Sequence, residues 1–330
     1  MPHTLRFAMI ISPAPSLPTS LEELLGRSLA AKLDRLDLLS RKIFAGKLPG
    51  ERRSKRRGRS VEFDDYRNYV AGDDLRHVDW NILARFDRFV VKLFREEEDL
   101  SLHLLVDASP SMNAGTPNKL VFAHQLAMAL SYIGVVNQNR VSLGVFGMPN
   151  QPLKRLAPIR GRPALARIAD LLLTTLKAAS DTPAAPAPAD LASAMRSVAA
   201  SASGRGVLVV ISDFLAPEGL APGLNALASL SGAGYDVFCL QTLAPSELDP
   251  TKQEPRLLGD LRLTDVESGR ATEVSISPRV IARYRAAVSR YPDQLRADCR
   301  SRGLAHLLVP TDTPVESLVI SSLRKSGMLR

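Results

Sequence analysis

Leu102-His103-Leu104-Leu105-Val106-Asp107-Ala108-Ser109-Pro110-Ser111 is the stretch that settles the fold class. Residues 102–106 are of strand length and nearly continuously apolar, which predicts a strand buried on both faces, as in a parallel sheet. The run then feeds a carboxylate and two hydroxyls, in an Asp-x-Ser-x-Ser order. Ser109 and Ser111 are two residues apart, so in an extended loop both hydroxyls can face the way Asp107 does. Oxygens gathered at the tip of a sheet suit a hard divalent cation such as magnesium, which prefers six oxygens and keeps several waters. Neutral hydroxyl ligands leave much of the charge uncompensated, so a Glu or Asp from a partner can complete the shell. The plainer alternative is that Asp107 caps a turn while the serines satisfy loop backbone groups.

Working outward, a second strand is predicted at 207–211, ending in Ser212-Asp213. Helices at 117–137, 162–179, 190–201 and 217–231 alternate with strands at 140–146, near Leu153, and at 236–242. This alternation predicts an α/β fold: a doubly wound, mainly parallel sheet with helices on both faces. Such a sheet binds ligands at the carboxyl ends of its strands, where the strand order reverses. Asp107 and Asp213 are both placed to reach that crevice. Beyond Thr242, a hairpin (257–276), a long helix from Pro278, a strand at 304–309 and a terminal helix complete the pattern. Before the first strand, Leu21, Leu25, Leu29, Leu33 and Leu36 form one helical stripe, capped by Ser20 and expected to run on toward Gly46. Its expected role is to cover its own domain.

The bulk composition is that of a globular chain: 330 residues, 45% hydrophobic and 23% charged. No apolar run is read as long enough to span a bilayer, and the opening segment lacks the shape of a signal peptide, so a cytoplasmic protein is expected. Cys239 and Cys299 are far apart in sequence and indicate neither a disulfide framework nor a zinc pair. The net charge of +9 is local. Nine basic residues and one acid between Arg41 and Arg59 contribute +8, leaving about +1 for the rest. The run at 52–59 offers a second function class, nucleic-acid binding through phosphates. It has no interleaved aromatics for base stacking, and nucleic acid is the less favoured partner.

Asp73, Asp74, Arg76, His77, Asp79 and Trp80 form a dense polar cluster. A hydrolase centred on this cluster is a third reading. Paired carboxylates and arginines in a structural unit, with His77 as a hydrogen-bonding group and Trp80 as a packing anchor, is the preferred one. Nucleophile-elbow, phosphate-loop and His-Glu-x-x-His motifs are absent, so a non-enzymatic binding module is expected.

Leu105 to Met112, with Val210-Ile211-Ser212-Asp213-Phe214 downstream, resembles a von Willebrand factor A domain with its metal-ion-dependent adhesion site. Gly58-Arg59-Ser60-Val61-Glu62-Phe63, Arg67-Asn68-Tyr69, Gly72 to Trp80 and Ala84-Arg85 further resemble the signature of domain-of-unknown-function family 58, bacterial proteins associated with MoxR-type AAA+ ATPases. Asp265 to Gly269 is similar to that family's carboxyl-terminal hairpin. The resemblance implies a von Willebrand A-type (Rossmann-like) sheet with a family-specific amino-terminal extension and a β-hairpin insertion. The boundaries are 1–19 for a loose arm, 20–99 for the extension and 100–330 for the sheet domain. It implies Asp107, Ser109, Ser111 and Asp213 as metal-site residues, with Mg2+ as the ion, and Mn2+ or no ion as alternatives. The second metal loop of such sites carries a Thr before Asp-Leu. Here Ala189 precedes Asp190-Leu191, and Thr182 is the substitute. Arg67, Asp73, Asp74, Arg76, His77, Asp79, Trp80 and Arg85 are the implied family motif. The implied partner is a protein offering an acidic side chain, a MoxR-type ATPase or its client.

Overall fold

The computed structural model describes residues 17–26, 29–39, 62–71, 73–95, 100–148, 151–181, 191–201, 205–215, 219–249, 259–264 and 271–329. They fall into two units, one made of Met1–Gly46 with Leu100–Arg330 and the other of Lys47–Asp99. In chain order the elements are α1 (Leu21–Leu25), α2 (Ala30–Leu33), β1 (Glu62–Asn68), α3 (Trp80–Phe86), β2 (Val90–Arg95), β3 (Ser101–Asp107), α4 (Lys119–Val136), β4 (Arg140–Phe146), β5 (Lys154–Ile159), α5 (Ala164–Asp181), α6 (Leu191–Ser201), β6 (Gly206–Ser212), α7 (Ala221–Gly232), β7 (Tyr235–Leu243), α8 (Pro245–Leu248), β8 (Gly259–Thr264), β9 (Ala271–Ile276), α9 (Pro278–Ser301) and β10 (Ala305–Pro310).

The larger unit holds the expected α/β sheet. Six strands run in the order β10-β7-β6-β3-β4-β5. All neighbours are parallel except β5, which turns back antiparallel along β4 at one edge. The chain therefore starts at the centre, winds outward through β4 and β5, and returns to the other side of β3 as β6. The reversal lies between β3 and β6, the place where a doubly wound sheet leaves a crevice.

Alternation along the strands divides the interior. Leu102, Leu104 and Val106 point into one core, with α1, α2, α4 and α5 residues. Leu105, Val210 and Cys239 point into the other, with α6, α7 and α9 residues. Helices thus cover both faces.

Helix α4 is the centre of the first core. It is apolar on all sides, so it must be covered on all sides. Fourteen of its 18 residues are buried. One side lies on the sheet and the other is closed by α5 and by Leu24, Leu25, Leu29 and Leu33. Among the described residues this is the one helix long and apolar enough to cross a membrane. That corrects the expectation that no run reaches such a length. The fold places it inside.

The leucine stripe covers its own domain, but not as one helix. Gly26, at φ 82°, ends α1 after five residues, a conformation open to glycine at little cost. A second short helix follows, and Leu38 then bridges to Leu329. Asn137 Nδ2 donates to Leu36 O at 2.7 Å, and Tyr132 Oη donates to Asp34 at 2.9 Å. These bonds fix the amino-terminal segment onto α4.

Cys239 and Cys299 meet in the second core. Both are free, buried thiols. The hydrogen bond with Cys299, together with burial, holds the Cys239 thiol well above the ordinary range. Sequence separation had concealed the pair.

Residues 47–99 form a separate unit. β1 and β2 pair antiparallel, with an irregularity between Phe63 and Asp65. Neither β1 nor α3 is legible in the sequence, because closely spaced charges mask any regular period. The hairpin β8–β9 is also antiparallel, from Gly259↔Ile276 to Thr264↔Ala271.

Candidate functional site at the carboxyl end of the sheet

Asp107 is the last residue of β3 and is 4% exposed. Its carboxylate ties down the loop that follows. Oδ1 accepts from Ser109 N at 2.9 Å, and Oδ2 accepts from Ser212 Oγ at 2.6 Å. Ser212, the last residue of β6, in turn accepts from Phe214 N at 2.9 Å. Asp107 thus links the loops after β3 and β6 across the reversal point. Burial pushes its pKa up to about 7, the nearby Asp213 adds to the rise, and hydrogen bonds from Ser212 and Ser109 oppose it.

The two serine hydroxyls converge. Ser109 Oγ and Ser111 Oγ share a hydrogen bond of 3.0 Å. Neighbouring ligands of an octahedral magnesium ion, each at about 2.1 Å, are separated by about 3.0 Å. The hydroxyl pair therefore fits one edge of such an octahedron. Space for the loop comes from Gly147, at the end of β4 with φ 86°. A Cβ there would lie 2.7 Å from Ser109 N and 2.9 Å from Asp107 Oδ1.

Asp213 is 1% exposed and already has a cation. Lys119, the first residue of α4 and fully buried, places Nζ 2.9 Å from Asp213 Oδ2 and 2.5 Å from Glu247 Oε1. Burial works against the charged ammonium, but Asp213 and Glu247 outweigh it and raise the pKa of Lys119. The remaining Asp213 oxygen accepts from Leu215 N at 3.0 Å. Glu247 Oε2 accepts from Ala244 N at 2.8 Å, which fixes the start of α8. Sequence reading missed both Lys119 and Glu247. A lone lysine opening an apolar helix was the available signal, since such a charge must find partners when buried.

The loop after β6 is held against its own preference. Phe214 is fully buried at φ 58°, left-handed for a residue with a Cβ. Tyr291 Oη donates to Phe214 O, and Gln241 Nε2 donates to Asp213 O at 3.2 Å. The remaining predicted metal-site residue, Thr182, lies outside the described residues, as do Ala189-Asp190 of the second loop and the basic run at 52–59.

The family-motif residues sit in the smaller unit, where their polar groups are engaged. Arg67 pairs with Asp73 at 2.9 Å, and Asp73 also accepts from Val70 N. Arg76 takes Asp74 through two nitrogens. Asp79 caps α3 through Asn81 N and Ile82 N, accepts from Tyr66 Oη at 3.0 Å and pairs with Lys92 at 3.0 Å. The bond from Lys92 holds the Asp79 carboxyl below the usual range, with burial opposing it. These are caps and clamps rather than an acid–base pair. His77 lies in the turn Leu75–His77, its side chain outside the described set. Arg85 is exposed in the last turn of α3. Trp80, expected as a packing anchor, is 56% exposed.

One serine–histidine contact exists in the sheet. Ser142 Oγ lies 2.6 Å from His103 Nδ1, and Tyr235 Oη 3.3 Å from Nε2. Ser142 and His103 are each 4% exposed, inside the layered core, which closes them to a substrate.

The profile of the family described as "Protein of unknown function DUF58" matches residues 65–293. Uncharacterized protein Rv1480 of Mycobacterium tuberculosis is 32% identical over 273 residues, covering 79% of this chain and 80% of that protein. Uncharacterized protein MAV169 of Mycobacterium avium is 30% identical over 141 residues, 42% of this chain and 78% of that protein. Among solved structures, the conserved hypothetical protein BatB from Bacteroides thetaiotaomicron aligns at TM-score 0.38 and 15% identity, over 68% of this chain and 99% of that one. The SpRpn10 VWA domain aligns at TM-score 0.37 and 9% identity, over 68% and 94%. Both structural likenesses are distant.

Proposed function

This chain belongs to the DUF58 family, and from that premise we propose that it is a non-catalytic protein-interaction module that takes an acidic group of its partner at the carboxyl end of the sheet. Ser109 and Ser111 are the direct ligands of a divalent cation, magnesium or manganese, in this reading. When bound, the cation supplies one open coordination position for an anionic oxygen. Asp107 holds the loop and accepts hydrogen bonds from the cation's waters. Asp213 borders the site with Lys119 as its counter-charge, and Thr182 is the candidate from the second loop. The partner class is a protein with an exposed Asp or Glu, a MoxR-type AAA+ ATPase or one of its clients.

The observation that carries this reading is the 3.0 Å separation of the two hydroxyls beside the buried Asp107.

The test is a manganese titration read by electron paramagnetic resonance. The protein should take up Mn2+, and the double variant Ser109→Ala/Ser111→Ala should bind at least about tenfold more weakly with its melting curve preserved. Equal uptake by the double variant would sink the metal reading.

A further inference from the structure

The geometry points to the exposed side of α9 as a second docking surface, independent of any cation, for an acidic amphipathic helix of a protein partner. Helix α9 turns by about 100° per residue. Its buried residues Pro292, Leu295 and Cys299 mark the side facing the core. On the opposite side, Arg279, Arg283 and Arg290 fall within about 40° of one line that runs for about 16 Å. All three are exposed. None makes an ion pair with a described residue, and no acid occurs between 278 and 292. A solvated helix face ordinarily mixes its charges at positions i and i+4. Over residues 278–292 this one is of a single sign, and the acid that follows, Asp293, is paired with Arg296 at 2.8 Å.

Beside the arginines, within about 140° of Arg279, lie Val280 and Tyr284 one turn apart. They are 38% and 42% exposed. Among the described residues of the larger unit, the large apolar side chains left so open are these two and Leu215. Tyr284 keeps its hydroxyl on Glu247 O at 2.9 Å while its ring stays half open. An apolar strip with guanidinium groups along one side, none of them paired with a described residue, complements a helix with aliphatic residues on one face and carboxylates on the adjoining one. Carboxylates suit this site because guanidinium groups take them in a bidentate fork, and the apolar strip has no counterpart on a phosphate backbone.

A charge swap tests the assignment. The probe is a fluorescein-labelled 18-residue helical peptide with Leu on one face and Glu beside it, followed by anisotropy at two salt concentrations. A matched peptide with Lys for Glu and an 18-nucleotide single strand serve as the other arms. The full-length protein should bind the Glu peptide. The triple variant Arg279→Glu/Arg283→Glu/Arg290→Glu should lose it by at least about tenfold and gain the Lys peptide, with an unchanged melting temperature. Retention of the Glu peptide within about twofold by the triple variant would overturn the proposal. So would a swap that costs oligonucleotide binding alone, which would mark the stripe as a phosphate surface. Chelator in every arm keeps the result separate from the cation reading.

Discussion

Lys119→Met lowers the stability of the protein by roughly 3–5 kcal/mol, the usual cost of removing one partner from a buried ion pair. The methionine has similar length and no charge, so the loss isolates the ammonium. Asp213 is then left at the sheet end with an uncompensated oxygen, while Glu247, a quarter exposed on its side chain, can turn to water. Most of the cost therefore sits on Asp213. Urea unfolding of Lys119→Met, Asp213→Asn and the double variant measures it. The double variant should recover much of the loss, because a neutral pair replaces an orphaned charge. A single-variant loss below about 1 kcal/mol would mean the buried pair is not holding the loops.

Asp107→Asn should act in the opposite direction at alkaline pH. In the folded chain this carboxyl keeps its proton up to about 7, against an ordinary value of 3.8. Between those two values the native state binds more protons than the unfolded chain, so stability falls as pH rises through that window and levels off above it. The accumulated penalty at pH 8 is on the order of 4 kcal/mol. Asparagine keeps the shape and never ionises. In chelator, the variant should melt above the parent protein at pH 8 and close to it at pH 4, with a flatter profile between. Added magnesium should raise the parent and leave the variant unchanged. Parallel profiles for the two proteins from pH 4 to 8 would show that the buried carboxyl is relieved by another route.

Much of this fold is legible in the sequence. A sheet buried on both faces forces continuous apolar strands, and 102–106 and 207–211 announce themselves for that reason. Their ends at Asp107 and Asp213 follow from the same register. Long helices were placed to within a few residues because 18 to 24 positions average out local exceptions. What stayed hidden has equally physical causes. Periodicity carried the leucine stripe straight through Gly26, although the glycine ends the first helix. The strand β1 lies in Glu62–Asn68, where the adjacent charges Asp64 and Asp65, with Glu62 and Arg67 on either side, erase the alternation. Lys119 and Glu247 are 128 residues apart, and only the approach of α8 to the start of α4 brings them together. Convergence of charges from distant segments leaves no local trace in a sequence.

The larger unit is assembled from two separate lengths of chain, and this governs how it can be divided. Leu24, Leu25, Leu29 and Leu33 come from before residue 47, and Val319, Leu323 and Leu329 from the far end, yet all join the same core around α4. A fragment trimmed to 65–293, the span the family profile recognises, sheds both sets and also β10. The bared helix would then face water with the composition of a membrane anchor. Poor solubility of such a fragment would reflect a missing jacket, not a defective domain.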